Sequence, residues 1–160
     1  VENEMLEFKN YLASLKEDVE KAYDLVSKYY YRVRRAEKIL RDIAMPKITE
    51  KYKDKVDEIY QYLEKINTTA MVLPIQVHEI NEAVNYLNFQ GESILNQIEQ
   101  ENTMLKLAES SLIYINKDRA NYPELNNLVK QNESAFFEGE FEKAYNNTSK
   151  IIKRYAEMDD

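Results

Sequence analysis

Stepping from Ile75 to Tyr122 by alternating threes and fours selects Val77, Ile80, Val84, Leu87, Gly91, Ile94, Ile98, Glu101, Leu105, Ala108, Leu112 and Ile115. Ten of these twelve positions are apolar, and no proline interrupts the run. Such spacing lines one side of a helix, and a seam this long has to pack against helices of similar length. At 1.5 Å rise per residue the helix is expected to be roughly 70 Å long. The chain is therefore expected to be a rod.

The same rule applied from Met5 selects Phe8, Leu12, Leu15, Val19, Ala22, Val26, Tyr29, Val33, Ala36, Leu40 and Ile43, all of them apolar. A first helix is thus predicted from about Glu2 to Ala44, broken by Pro46, a residue suited to the first turn of the next helix. The second helix repeats the pattern at Tyr52, Val56, Ile59, Leu63, Ile66, Ala70 and Leu73 and ends before Pro74. Pro123 then starts a short helix to about Phe137. Glu138-Gly139 makes a turn with glycine as the helix stop, and a last helix runs from about Glu140 to Glu157.

Short connections make consecutive helices antiparallel neighbours. Counted back from Pro74, the long third helix regains the level of the Met45–Pro46 turn near Glu101, where its apolar seam also fails. The expected fold is all-α: elongated antiparallel three-helix bundles sharing one long continuous helix. Residues 1–101 form a first bundle, incomplete at its N-terminal end. Residues 102–160 form a second from the end of the long helix and a helical hairpin.

The second helix is shorter than the first. Met5, Phe8, Leu12 and Leu15 are then left as an exposed apolar stripe, a candidate self-association surface within residues 1–18.

Composition narrows the chemistry. Two glycines, three prolines and 32% charged residues fit long helices with solvated outer faces. A net charge of −7 argues against nucleic acid as a partner, because phosphate binding draws on surplus Lys and Arg. With no cysteine there is neither a disulfide framework nor thiolate chemistry. The longest apolar run, Ala70 to Ile75, is far short of the ~20 residues that span a bilayer, so no membrane insertion by this segment is expected. The chain opens with Val rather than Met, as a fragment of a longer protein would.

No reaction centre stands out, and neither an enzyme nor a cofactor is expected. His78 is the only histidine and has no partner at metal-ligand or catalytic spacing, so it reads as a surface or boundary residue. Between Lys28 and Arg41 six basic residues face the single acid Glu37. With Tyr29, Val33, Ala36 and Leu40 on the seam, they read as a solvated outer face.

The most specific stretch is Ala108-Glu109-Ser110-Ser111-Leu112-Ile113-Tyr114-Ile115-Asn116-Lys117-Asp118-Arg119, followed by the hairpin Phe136-Phe137-Glu138-Gly139-Glu140-Phe141-Glu142-Lys143-Ala144-Tyr145. Glu109, Leu112, Asn116 and Arg119 share a helix face. Glu109 and Arg119 lie about 15 Å apart along it, too far to pair. Each needs a partner elsewhere, either on the hairpin, which the motif would clamp, or on another protein.

These residues resemble the EzrA family, the septation ring formation regulators of low-GC Gram-positive bacteria. Ala108, Glu109, Tyr114, Asn116, Arg119, Phe137, Phe141, Glu142 and Ala144 match its pattern, over about the last 60 residues. A polar Gln-Asn-Arg patch of the family falls on Ile113, Asn116 and Lys117, so only the asparagine is kept. The resemblance implies a non-catalytic cytoplasmic rod of spectrin-like repeats at the inner face of the cell membrane, acting on the division protein FtsZ and other division proteins. It makes Glu109, Tyr114, Asn116, Lys117 and Arg119 the candidate protein-binding or hairpin-clamping residues. The alternative from the residues alone is a general helical adaptor rod whose C-terminal hairpin binds a partner peptide or protein.

Overall fold

A computed structural model describes residues 1–158, and among them the chain is entirely helical, with no strand. The helices are α1 (Glu2–Ile43), α2 (Pro46–Met71), α3 (Val77–Tyr86), α4 (Glu92–Asn116), α5 (Pro123–Phe137) and α6 (Phe141–Met158). A π-helical turn, Leu87–Gly91, joins α3 to α4, and Glu92 N–H reaches back five residues to the carbonyl of Leu87. The chain forms two compact units. One comprises residues 1–38 and 52–96, the other residues 39–51 and 97–160.

In the first unit the apolar seam becomes the core. Ala22, Val26, Tyr29, Val33 and Ala36 of α1 are buried, as are Tyr52, Val56, Ile59, Leu63 and Ile66 of α2. Tyr30 packs its ring 6.0 Å from that of Tyr60, the two lying equally far from the α1–α2 link, as an antiparallel pair requires. Tyr62 stacks on Tyr86 at 3.7 Å, again equally far from the α2–α3 loop. Below Ala22 the covering stops. Met5, Phe8 and Leu12 are 60%, 62% and 46% exposed, and Leu15 is half-buried. Leu73, expected on the second helix's seam, lies beyond Met71 in the connecting loop and is exposed.

Gly91 occupies a buried seam position without any neighbouring helix pressing on it. A Cβ built there would meet only Leu87 and the Tyr86 carbonyl, at 3.5 Å or more.

The second unit takes in the α1–α2 link, the later part of α4, and the α5–α6 hairpin. α1 ends because Ala44 adopts a left-handed conformation at φ 52, its N–H still bonded to the Leu40 carbonyl. The hairpin turns through Gly139 at φ 84. There Glu140 N–H bonds to Ala135 and Gly139 N–H to Phe136, the paired closure that satisfies the last carbonyls of α5. Gly139 also lies so close to Ile48 that a Cβ would stand 3.1 Å from its Cδ1, and Lys47 bonds to Glu138 beside it.

The long helix is unbroken from Glu92, as its lack of Pro and Gly predicts, but it ends at Asn116 rather than Tyr122. Residues 117–121 are turns; the amides of Lys117, Asp118, Arg119 and Asn121 bond three residues back and that of Tyr122 four. Ile115, Leu125 and Val129 then form a buried cluster with Tyr122, Ile151, Ile152 and Tyr155 packed on it. Phe141 is buried too, but its ring neighbour is Phe136 at 5.3 Å. It serves the turn end of the hairpin rather than the Ile115 cluster. Phe137 is 73% exposed.

Candidate functional site

The motif at the end of α4 divides into a holding part and an exposed part. Arg119 lies just past the helix in the turn segment, which aims its guanidinium at α5. Its Nε donates to Asn126 Oδ1 at 2.7 Å, and its Nη1 donates to Glu133 Oε1 at 2.8 Å. The same nitrogen reaches Asn116 Oδ1 at 3.4 Å. One guanidinium thus ties three segments of the second unit, using the planar fork that lysine lacks. Arg119 thus bonds within the second unit, to α5 and to the end of α4.

Glu109, Tyr114, Asn116 and Lys117 are exposed. Lys117 Nζ stands 5.9 Å from the centre of the Tyr114 ring, within cation–π distance. Ile113 beside them is 62% exposed. A tyrosine, an isoleucine and a lysine on one outward stretch form an amphipathic surface of the kind that buries against another protein.

The first unit holds a polar cluster that the sequence reading does not single out. Tyr29 hydroxyl donates to Glu92 Oε2 at 2.9 Å and lies 3.2 Å from Asn88 Oδ1. Arg32 bonds the same Glu92 oxygen and donates to Asn96 Oδ1 at 3.2 Å. Burial would raise the Glu92 carboxyl, but the bonds from Arg32 and Tyr29 outweigh it and hold it below the usual carboxylate range. Burial, then the Glu92 bond, pushes Tyr29 up to about 12. Tyr60 rises likewise to about 12 by burial and by its 2.8 Å bond to Glu37. The available signal was Tyr29 itself, because a tyrosine on a core seam needs an acceptor for its hydroxyl. Arg32 is accordingly not part of a solvated basic face: it is committed to Glu92 and Asn96. Lys28, Arg34, Arg35 and Lys38 do face solvent.

His78 is exposed and stands 3.2 Å from Glu82. Glu101, where the seam fails, is half-buried and pairs with Lys51 at 2.8 Å within the second unit. An open cleft at the hairpin turn is lined by Glu101, Glu140, Phe141 and Asn146. Among the described residues no helix is long and apolar enough to cross a membrane. In comparisons with protein-family models, curated proteins and solved structures, the chain matches none.

Proposed function

We propose that this chain is a helical scaffold that works by binding a protein partner, with the outward surface of α4 around Tyr114 and Lys117 as its contact. The observation that carries this reading is the division of labour within one motif. Arg119 is spent on holding α5, while Tyr114 and Lys117 of the same stretch are left to solvent. Residues needed only to close the hairpin would be turned toward it.

The finer reading comes from the resemblance to the EzrA family. On it, the rod is built of spectrin-like repeats, the partner is FtsZ, and the place of action is the cytoplasmic face of the membrane at the division ring. What supports it is the match at Glu109, Tyr114, Asn116 and Arg119. The adaptor reading would instead use the cleft at the hairpin turn. Two of the carboxylates lining it are already engaged, Glu101 with Lys51 and Glu140 with Lys143 at 3.1 Å, and the α4 surface is the better candidate.

Co-sedimentation of the chain with assembling FtsZ tests the reading. The chain is expected to enter the pellet and to alter the amount of polymer. The double variant Tyr114→Ala, Lys117→Glu is expected to stay in the supernatant with an unchanged melting temperature. Absence of the wild-type chain from the pellet would remove the FtsZ reading. Equal pelleting of wild type and variant would remove the α4 surface.

A further inference from the structure

We propose that the outer face of α1 between Lys28 and Lys38 binds a short acidic segment of a partner protein, held extended, with an apolar side chain against Tyr31 and carboxylates on the cations around it. This surface belongs to the first unit and is distinct from the α4 contact surface.

Three consecutive tyrosines are used in three different ways. Tyr29 is buried and bonded to Glu92, Tyr30 packs on Tyr60, and Tyr31 is 69% exposed. Steps of three and four from Lys28 give Tyr31, Arg35 and Lys38 on one line, and Arg34 stands beside it, three residues from Tyr31 and four from Lys38. All four cations are exposed, and among the described residues none forms an ion pair. The single acid in the stretch, Glu37, instead accepts the Tyr60 hydroxyl of α2 at 2.8 Å. Earlier on the same helix the charges are interleaved, Lys21 pairing with Glu17 at 3.0 Å and Lys16 with Glu20 at 4.0 Å. From Lys28 to Lys38 they are not, and Arg34 and Arg35 each repel Lys38 at a neighbouring position. A chain of net charge −7 thus gathers unpaired cations around one exposed ring.

The extent of this patch selects the occupant. Lys28 and Lys38 are about 15 Å apart along the axis. Asp24, seven residues before Tyr31, and Asp42, seven after Arg35, fall on the same side of the helix and are exposed, with Glu20 and Glu17 beyond Asp24. A membrane or a nucleic acid carries negative charge over a far greater length, and on this face it would meet those acids as well as the cations. A segment of about five extended residues, at roughly 3.3 Å each, fits between them. Arg34 and Arg35 offer planar forks to its carboxylates, and Tyr31, between Lys28 and the arginines, offers a ring to an apolar side chain.

Fluorescence anisotropy tests this with a labelled peptide of two glutamates, a leucine and two glutamates between Gly-Ser flanks. The full chain should bind the peptide at low salt and release it as salt rises. Arg35→Glu should weaken binding about tenfold. Lys9→Glu makes the same charge change about 39 Å away along α1 and should weaken it less than about twofold. Replacing the peptide's leucine with glycine should weaken binding to wild type but not to Tyr31→Ala. The substituted side chains are exposed, so each variant should keep the wild-type melting temperature. A wild-type chain that does not bind the peptide overturns the proposal. So does an equal loss for Arg35→Glu and Lys9→Glu, or an equal effect of the leucine-to-glycine change on wild type and Tyr31→Ala. Phosphatidylserine-containing vesicles that sediment wild type but not Arg35→Glu, with no peptide bound, would overturn it in favour of a lipid surface.

Discussion

The hydroxyl of Tyr29 donates a 2.9 Å hydrogen bond to Glu92 across 63 residues of sequence, and the same carboxylate oxygen takes Arg32. Tyr29 is 1% exposed, so its hydroxyl has no water to turn to if Glu92 is lost. The bond also joins α1 to the start of α4 immediately after the π-helical turn, placing Asn88 and Glu92 on the same partner.

Tyr29→Phe should cost about 1 kcal/mol, the usual net worth of such a bond. The pH dependence has a definite sign. Glu92 has a folded pKa below its ordinary 4.5. Its contribution is present above that value and is lost as pH falls through the lower folded one. Tyr29 runs the other way, contributing fully below pH 10 and losing its contribution as pH rises toward about 12. Chemical denaturation of wild type and Glu92→Gln from neutral to acid pH checks the first sign. The gap between the two should narrow below pH 4.5.

Two positions adopt left-handed backbone, and their residues differ. Ala44 holds φ 52 with a Cβ, whereas Gly139 holds φ 84 without one. Ala44→Gly should therefore stabilise the chain by roughly 1 kcal/mol. Gly139→Ala should destabilise it by at least that, because its new methyl also meets Ile48. Thermal melts of the two variants should move in opposite directions.

Thr148 is fully buried on α6, and its hydroxyl has no hydrogen-bond partner among the described residues. Valine has the same shape without the polar atom. Thr148→Val should raise stability by about 1 kcal/mol, whereas Thr148→Ala should lower it by leaving a void. A drop in stability for the valine variant would mean that the hydroxyl has a partner in solution.

Arg119→Lys keeps the charge but cannot bond Asn126, Glu133 and Asn116 at once. It should cost about 1–2 kcal/mol. Amide hydrogen exchange should quicken in α5 and leave α2 and α3 unchanged. Uniform protection would show that the Ile115–Leu125–Val129 cluster alone holds the hairpin.

The sequence by itself determined which faces are core. Every seam position from Ala22 to Ile43, and from Tyr52 to Ile66, is buried, because a 3-4 repeat can present only one side of a helix to its neighbours. It also determined the hairpin stop at Gly139, where a local φ requirement selects the residue, and the bare stripe at Met5, Phe8 and Leu12, which follows from helix lengths. Those are local or periodic properties.

The end of α4 was not of that kind. Nothing between Asn116 and Tyr122 forbids a helix. The chain turns there, where Ile115 packs with Leu125 and Val129 and Arg119 bonds Asn126 and Glu133, all contacts with residues beyond the turn. The π-helical turn, the commitment of Arg32 to Glu92, and the pairing of Phe141 with Phe136 are likewise choices among partners distant in sequence or equivalent by type. Tertiary structure decided them, because the energy of a side-chain bond depends on which acceptor the fold brings within about 3 Å, and periodicity carries no record of that.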